Sequence, residues 1–96
     1  MNKEDLIPVI VQEECSEVIQ AISKIFRFGF DNLNNGISNK QHLEEELGQL
    51  CAMMSMLYLK WELNRDVIAE ACSLKTKTFD KWSAYFKEQN DCELQT

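Results

Sequence analysis

Leu6-Ile7-Pro8-Val9-Ile10-Val11, then Gln12, then Glu13-Glu14-Cys15-Ser16-Glu17, then Val18-Ile19-Gln20-Ala21-Ile22: this stretch decides the fold. Acidic residues interrupt an otherwise apolar run. At about 100° per residue, Ile7, Val11, Val18, Ile22 and Ile25 share one helical face. Glu14 falls inside that stripe, and Glu17 and Glu13 follow it round to one side. A carboxylate on a core-facing edge is costly unless something neutralises it. The stretch therefore predicts an amphipathic helix whose packing face carries a charged site that asks for a cation.

Working outward, the first helix starts between Asn2 and Asp5 and runs to about Gly29. With Asp5 as N-cap, Pro8 falls in the first turn, where its missing N–H costs nothing; a start at Asn2 puts a lost bond or slight kink at Pro8. Lys24 and Arg27 suit the negative end of the helix dipole, and Gly29 is a natural stop. Residues 30–39, rich in Asn and Asp around Gly36, read as a loop. Ser38 with Gln41 three residues later fits a capping box that opens a second helix over about Asn39–Glu62. Its stripe is Leu43, Leu47, Leu50, Met54, Leu57 or Tyr58, and Trp61. Asn64 ends that helix or caps the next, which spans Asp66 to about Gln89. Ile68, Cys72, Phe79, Trp82 and Phe86 form its edge, with Lys75 interrupting and a break near Ser73–Thr76 able to split it. Residues 90–96 read as a frayed polar tail.

The 96 residues amount to one small domain, 45% hydrophobic, with one proline and three glycines. Turn-dense all-β chains need more of both, so the fold class is all-α, a three- to four-helix bundle. A chain this short gains much from oligomerising, here as a homodimer or homotetramer. No apolar run reaches the ~20 residues of a membrane span, and the acidic start lacks a signal peptide's plan; the expectation is a cytoplasmic protein with no membrane partner. A net charge of −6 argues against nucleic-acid binding. The four cysteines, Cys15, Cys51, Cys72 and Cys92, are dispersed with a single histidine, His42. That spacing argues against a zinc site and reads as free thiols, most of them small core residues.

On the second helix Glu45 points away from the stripe and Glu44 sits on its far flank. Glu46 lies beside the stripe, with Gln49 and Met53 continuing that side. Glu46 and Gln49, three residues apart, are neighbours. Antiparallel packing lets them converge with Glu14 and Glu17. Mg²⁺ takes oxygen ligands and retains several waters, so two helix faces plus substrate phosphates can complete its shell. Solvated charge is the ordinary fate of acidic runs on amphipathic helices, and it is the reading adopted for Glu44 and Glu45.

Glu13-Glu14-x-x-Glu17 on one helix and Glu46-x-x-Gln49 on the next resemble the signature of the MazG-like all-α NTP pyrophosphohydrolases. The flanking segments, Glu13 through Lys24, Arg27-Phe28-Gly29 and His42 through Gly48, resemble the family's small phage-type members. The likeness covers roughly residues 4–85. It implies Mg²⁺ (or Mn²⁺) held by Glu14, Glu17 and Glu46, with Gln49 in the fourth position. Glu13 is a ligand or a base orienting the water, so that Glu13 and Glu14 stand in the catalytic role. It implies hydrolysis of a nucleoside triphosphate to monophosphate and pyrophosphate. Lys24, Arg27, Lys75 and Lys77 are candidates for the nucleotide's phosphates; Lys24 and Arg27 serve equally as a favourable helix terminus. Phe28, Phe30 and Trp82 are able to stack on a base, but core packing is the reading preferred for each.

Where the family has Asp, this chain has Gln49. An amide oxygen ligates Mg²⁺ without charge. Three readings follow, in order: hydrolysis continues with three glutamates; the protein binds a nucleotide and releases it unchanged, a sequestering protein; or the bundle is an interaction module.

Overall fold

A computed structural model describes residues 2–95, with side chains through Tyr85 and at Lys87. A 3-10 turn, Lys3–Leu6, leads into α1, Ile7–Phe28. The Asp5 N–H donates to Asn2 C=O at 3.0 Å, and Pro8 sits at the start of α1. Asp5 does not cap α1: Leu6 occupies that position in helical conformation, without a side-chain cap. The 3-10 turn supplies the entry instead, and the Asp5 carboxylate pairs with Lys60 Nζ at 3.3 Å. At the other end the Gly29 N–H donates to Ile25 C=O at 2.8 Å, with φ of +87° at Gly29. That left-handed backbone is where glycine ends a helix without a Cβ penalty.

The expected loop is a two-residue hairpin. Strands β1 (Leu33–Asn34) and β2 (Ile37–Ser38) pair antiparallel, Leu33 opposite Ser38 and Asn34 opposite Ile37. Between them Asn35 and Gly36 have φ of +56° and +80°. Positive φ at both central residues is the type I′ requirement, which Asn-Gly meets at least cost. The hairpin delivers the chain into α2, Asn39–Lys60. The first N–H groups of α2 are all satisfied: Asn39 N–H by Asn32 C=O (3.0 Å), Lys40 N–H by Phe30 C=O (3.1 Å), and Gln41 N–H by Ser38 Oγ (3.1 Å). The Gln41 side chain turns instead to Glu45 Oε1 at 3.2 Å, so half of the expected capping box forms.

Helix α2 ends two residues before Glu62. Glu62 takes φ of +48°, its N–H donates to Leu59 C=O (3.3 Å), and Leu63 N–H donates to Tyr58 C=O (3.0 Å). This is a Schellman closure with a non-glycine residue in the left-handed position.

Helices α1 and α2 pack antiparallel, joined at one end by Asp5–Lys60 and at the other by Asn39 Nδ2 donating to Gly29 C=O at 3.0 Å. Among the described residues, only Ala21 (1% exposed) and Asn39 (4%) are fully buried. The rest of the seam is half-buried, with Val11, Glu14, Val18 and Ile25 on α1 and Glu46, Leu50, Met53 and Leu57 on α2. Leu43, Leu50, Met54, Leu57 and Tyr58 of the expected α2 stripe are half-buried, and Glu46 and Met53 widen that face to one side. Leu47 and Trp61 are 46% and 56% exposed, and Met53 lies in the seam.

These elements form one compact unit ending at Leu63; α3 (Arg65–Gln95) belongs to a second that begins at Asn64. Asn64 caps α3, its Oδ1 accepting from Asp66 N–H (3.0 Å) and Val67 N–H (3.2 Å). The helix passes through residues 73–76 unbroken and continues past Gln89 to Gln95. Thr76 and Thr78 sit within it because their hydroxyls donate back to Cys72 C=O (3.0 Å) and Leu74 C=O (2.9 Å). Val67, Leu74 and Phe79 are 60%, 56% and 65% exposed; the Phe86 side chain lies outside those described. The fold is mostly helical, as all-α patterning predicts, and among the described residues no helix is long and apolar enough to cross a membrane.

Candidate functional site

The α1–α2 seam brings two carboxyl groups together. Glu14 sits half-buried in the packing stripe of α1 and Glu46 half-buried on α2, near enough for Glu46 to act on the Glu14 carboxyl through charge and hydrogen bonding. Each leaves its Oε2 buried with no hydrogen-bond donor. Two carboxylates offer only acceptors, so a bond between them requires a proton. Burial first, then the charges of Glu46 and Glu17, then the hydrogen bond to Glu46, and last the charge of Glu13 push the Glu14 carboxyl above the ordinary glutamate range. Desolvation disfavours the charged form, and like charges add to it. Relief of the pair would take a positive charge, a shared proton or a cation.

Glu17 and Glu13 are exposed, near enough to act on Glu14 through charge. Gln49 is also exposed. Among the described residues, no group of three or more His, Cys, Asp or Glu side chains is arranged to hold a metal ion; what the helices bring together is a pair with further carboxylates at its edge. Its fit to a hard cation rests on the two orphaned oxygens. His42, one turn before Glu46, holds Nε2 at 3.8 Å from Glu46 Oε1. The spacing of four between His42 and Glu46 was the available signal for that contact.

The candidate phosphate ligands separate. Lys24 is half-buried and lines a cavity of about 130 Å³ with Asn34, Asn35, Ile37, Asn39 and His42. Arg27 lies over the Phe28 ring, 5.3 Å from its centroid, a cation–π contact. It shares with Lys24 only a depression on the outer face of α1. Lys75 and Lys77 are exposed on α3, in the second unit. The aromatic residues expected in the core are not there. Phe28, Phe30 and Trp82 are 58%, 57% and 56% exposed, and Trp82 packs edge-on against Tyr85 at 6.1 Å. Cys15, Cys51 and Cys72 are free thiols as expected, but all three are exposed: Cys15 and Cys51 fall beside their helix's stripe, and Cys72 is exposed along with Val67, Leu74 and Phe79 of α3; Cys92 lies outside the described side chains.

Asn39 carries no chemistry of its own, and sequence reading passed over it. It ties the end of α1 to the start of α2 and so fixes where Lys24 and His42 meet. Comparison of the chain with protein-family models, with curated proteins and with solved structures gives no significant match. The functional reading therefore stands on the geometry and on the motif resemblance.

Proposed function

We propose that the α1–α2 pair is the site of a Mg²⁺-dependent (or Mn²⁺-dependent) pyrophosphohydrolase that cleaves a nucleoside triphosphate or related nucleotide to monophosphate and pyrophosphate. The observation that carries this reading is the pair of buried, donorless oxygens Glu14 Oε2 and Glu46 Oε2. Binding a cation there releases the proton that otherwise relieves the pair. Mg²⁺ keeps several waters and takes substrate phosphates as ligands, so few protein carboxylates are needed to anchor it. When bound, the ion supplies charge neutralisation on the phosphates and activation of a water. Glu14 and Glu46 would hold it, with Glu17 adding its carboxylate from the exposed edge. Glu13 orients the attacking water and takes its proton. Lys24 offers its ammonium to the phosphates.

The flank itself supports a nucleotide. A cleft of about 480 Å³ is lined by Leu6, Ile7, Ile10, Met53 and Met56, and helical spacing sets Ile10 on the flank of Glu17 in α1 and Met53 on the flank of Gln49 in α2. Its methionines suit an aromatic base. Lys24 stands at the other end, seven residues and about 10 Å along the axis from Glu17. Apolar, acidic and cationic zones follow one another as do base, metal-bound phosphates and terminal phosphate.

The test is release of pyrophosphate from a panel of NTPs, dNTPs and alarmones with Mg²⁺ or Mn²⁺, against a Glu14→Gln control; no product above that control removes the reading. Exposure of the uncharged Gln49 favours a second reading, a sequestering protein that binds a nucleotide without cleaving it. Calorimetric titration with intact ligand recovered afterwards separates the two. The wider architecture belongs to the same proposal: a three- to four-helix bundle completed by oligomerisation to a homodimer or homotetramer. Its support is apolar surface left open, with Phe26, Leu59 and Ile19 at 87%, 71% and 65% exposure. Sedimentation equilibrium tests it, and a monomer at all concentrations refutes it.

A further inference from the structure

The geometry points to the cavity between the end of α1, the hairpin and the start of α2 as a subsite for the terminal phosphoryl groups of the nucleotide. This rests on the nucleotide reading above and extends it to residues outside the acidic motif. At about 130 Å³ the cavity is well below the roughly 300–1,000 Å³ of pockets that take whole small molecules. It suits a compact group. Its lining is rich in donors and poor in negative charge: the Lys24 ammonium, the amides of Asn34 and Asn35, and the His42 ring.

Helix N-termini bind anions through free backbone N–H groups, and this one does not have them to give. The N–H groups of Asn39, Lys40 and Gln41 are all committed to Asn32, Phe30 and Ser38. Asn39 Nδ2 is committed to Gly29 C=O. An anion here is held by side chains. Among the described residues, Lys24 forms no ion pair and neither the Asn34 nor the Asn35 amide forms a hydrogen bond, so their donors remain for a ligand. The type I′ turn fixes where the two amides stand, because φ of +56° at Asn35 and +80° at Gly36 leaves the hairpin little freedom. The partial positive charge at the start of α2 adds a favourable field. His42 lines this cavity and also stands 3.8 Å from Glu46 Oε1. The cavity therefore adjoins the carboxylate pair, where the scissile phosphate sits in the proposed reaction.

The full chain is titrated with inorganic pyrophosphate in EDTA, with the side-chain amide signals of Asn34 and Asn35 followed by NMR. Saturable shifts are expected. Lys24→Gln should weaken binding about tenfold, the size of one lost charge-assisted hydrogen bond. Asn35→Gly, which keeps the turn and removes the amide, should also weaken it. Glu14→Gln should bind at least as tightly. A non-hydrolysable nucleoside triphosphate should shift the same amides and compete with pyrophosphate. Absence of saturable shifts, or unchanged affinity in both the Lys24 and Asn35 variants, overturns the subsite. Shifts produced by pyrophosphate alone overturn its assignment to the nucleotide. Because no metal or turnover enters the measurement, a failed hydrolysis assay and a failed subsite are distinguishable.

Discussion

Replacing Asn39 by alanine should destabilise the α1–α2 unit by about 2 kcal/mol. The side chain is 4% exposed, and its Nδ2 donates to Gly29 C=O at 3.0 Å. A hydrogen bond of this kind contributes about 1 kcal/mol net, and a carbonyl left without its donor costs about 1 kcal/mol more at the low end for a part-buried group. In a two-state domain of this size, 2 kcal/mol lowers the melting temperature by roughly 8–16 °C. Urea unfolding followed by circular dichroism should show a lower midpoint with unchanged slope. Asn39→Asp sharpens the test. An aspartate in the first turn of a helix normally gains about 0.3–1 kcal/mol from the dipole. Here it would face the Gly29 carbonyl oxygen without a proton to give, so it should be less stable than alanine. An alanine variant within 0.5 kcal/mol of the parent, or an aspartate variant as stable as the parent, refutes the clamp.

In the metal-free protein, stability should fall with rising pH across the interval between the ordinary glutamate pKa and the raised value of folded Glu14. The folded state binds the extra proton there, so the slope is negative. Glu14→Gln should flatten it, and saturating Mg²⁺ should restore stability at the upper end; a rise in stability across the interval contradicts the shared proton. Gln49→Asp should raise Mg²⁺ affinity or hydrolysis by adding charge beside the pair; calorimetry and product release that both stay unchanged place Gln49 outside the metal's surroundings. Glu62→Gly should stabilise by roughly 0.5–1 kcal/mol, the left-handed penalty at φ of +48° less the added freedom of the unfolded chain, and denaturant unfolding that shows a loss contradicts the Schellman reading.

The first two helices were legible because the period of Ile7, Val11, Val18 and Ile25 is unbroken and Ser38 is a strong cap. The α2 face was legible in most of its residues. Leu43, Leu50, Met54, Leu57 and Tyr58 are half-buried as their spacing predicts, whereas Leu47 and Trp61 are exposed and Glu46 and Met53 widen the face to one side. Glu14 was singled out because a charge within an apolar stripe is anomalous whatever the partner, and Glu46 because it lies beside the second stripe, where antiparallel packing brings it toward Glu14. The hairpin was missed although Asn35-Gly36 is a strong two-residue turn signal. Its strands are two residues each, too short to show alternation. Asn39 was missed because its role depends on a carbonyl ten residues earlier in the chain, a contact that no local pattern encodes. Phe28 and Phe30 were assigned to the core by composition, yet the seam between two helices is too narrow to enclose side chains of that size.

The scarcity of enclosed apolar side chains, with Ala21 alone fully buried among the described residues, has a consequence for every unfolding experiment named above. If a second copy covers Phe26 and Leu59, folding and association are one equilibrium, and the midpoint rises with the logarithm of protein concentration. The quantity measured is then a property of the solution as much as of the chain. Variants at Asn39, Glu14 and Glu62 are comparable only at one protomer concentration. A dilution series of the parent protein, run first, shows how much of its stability is intramolecular.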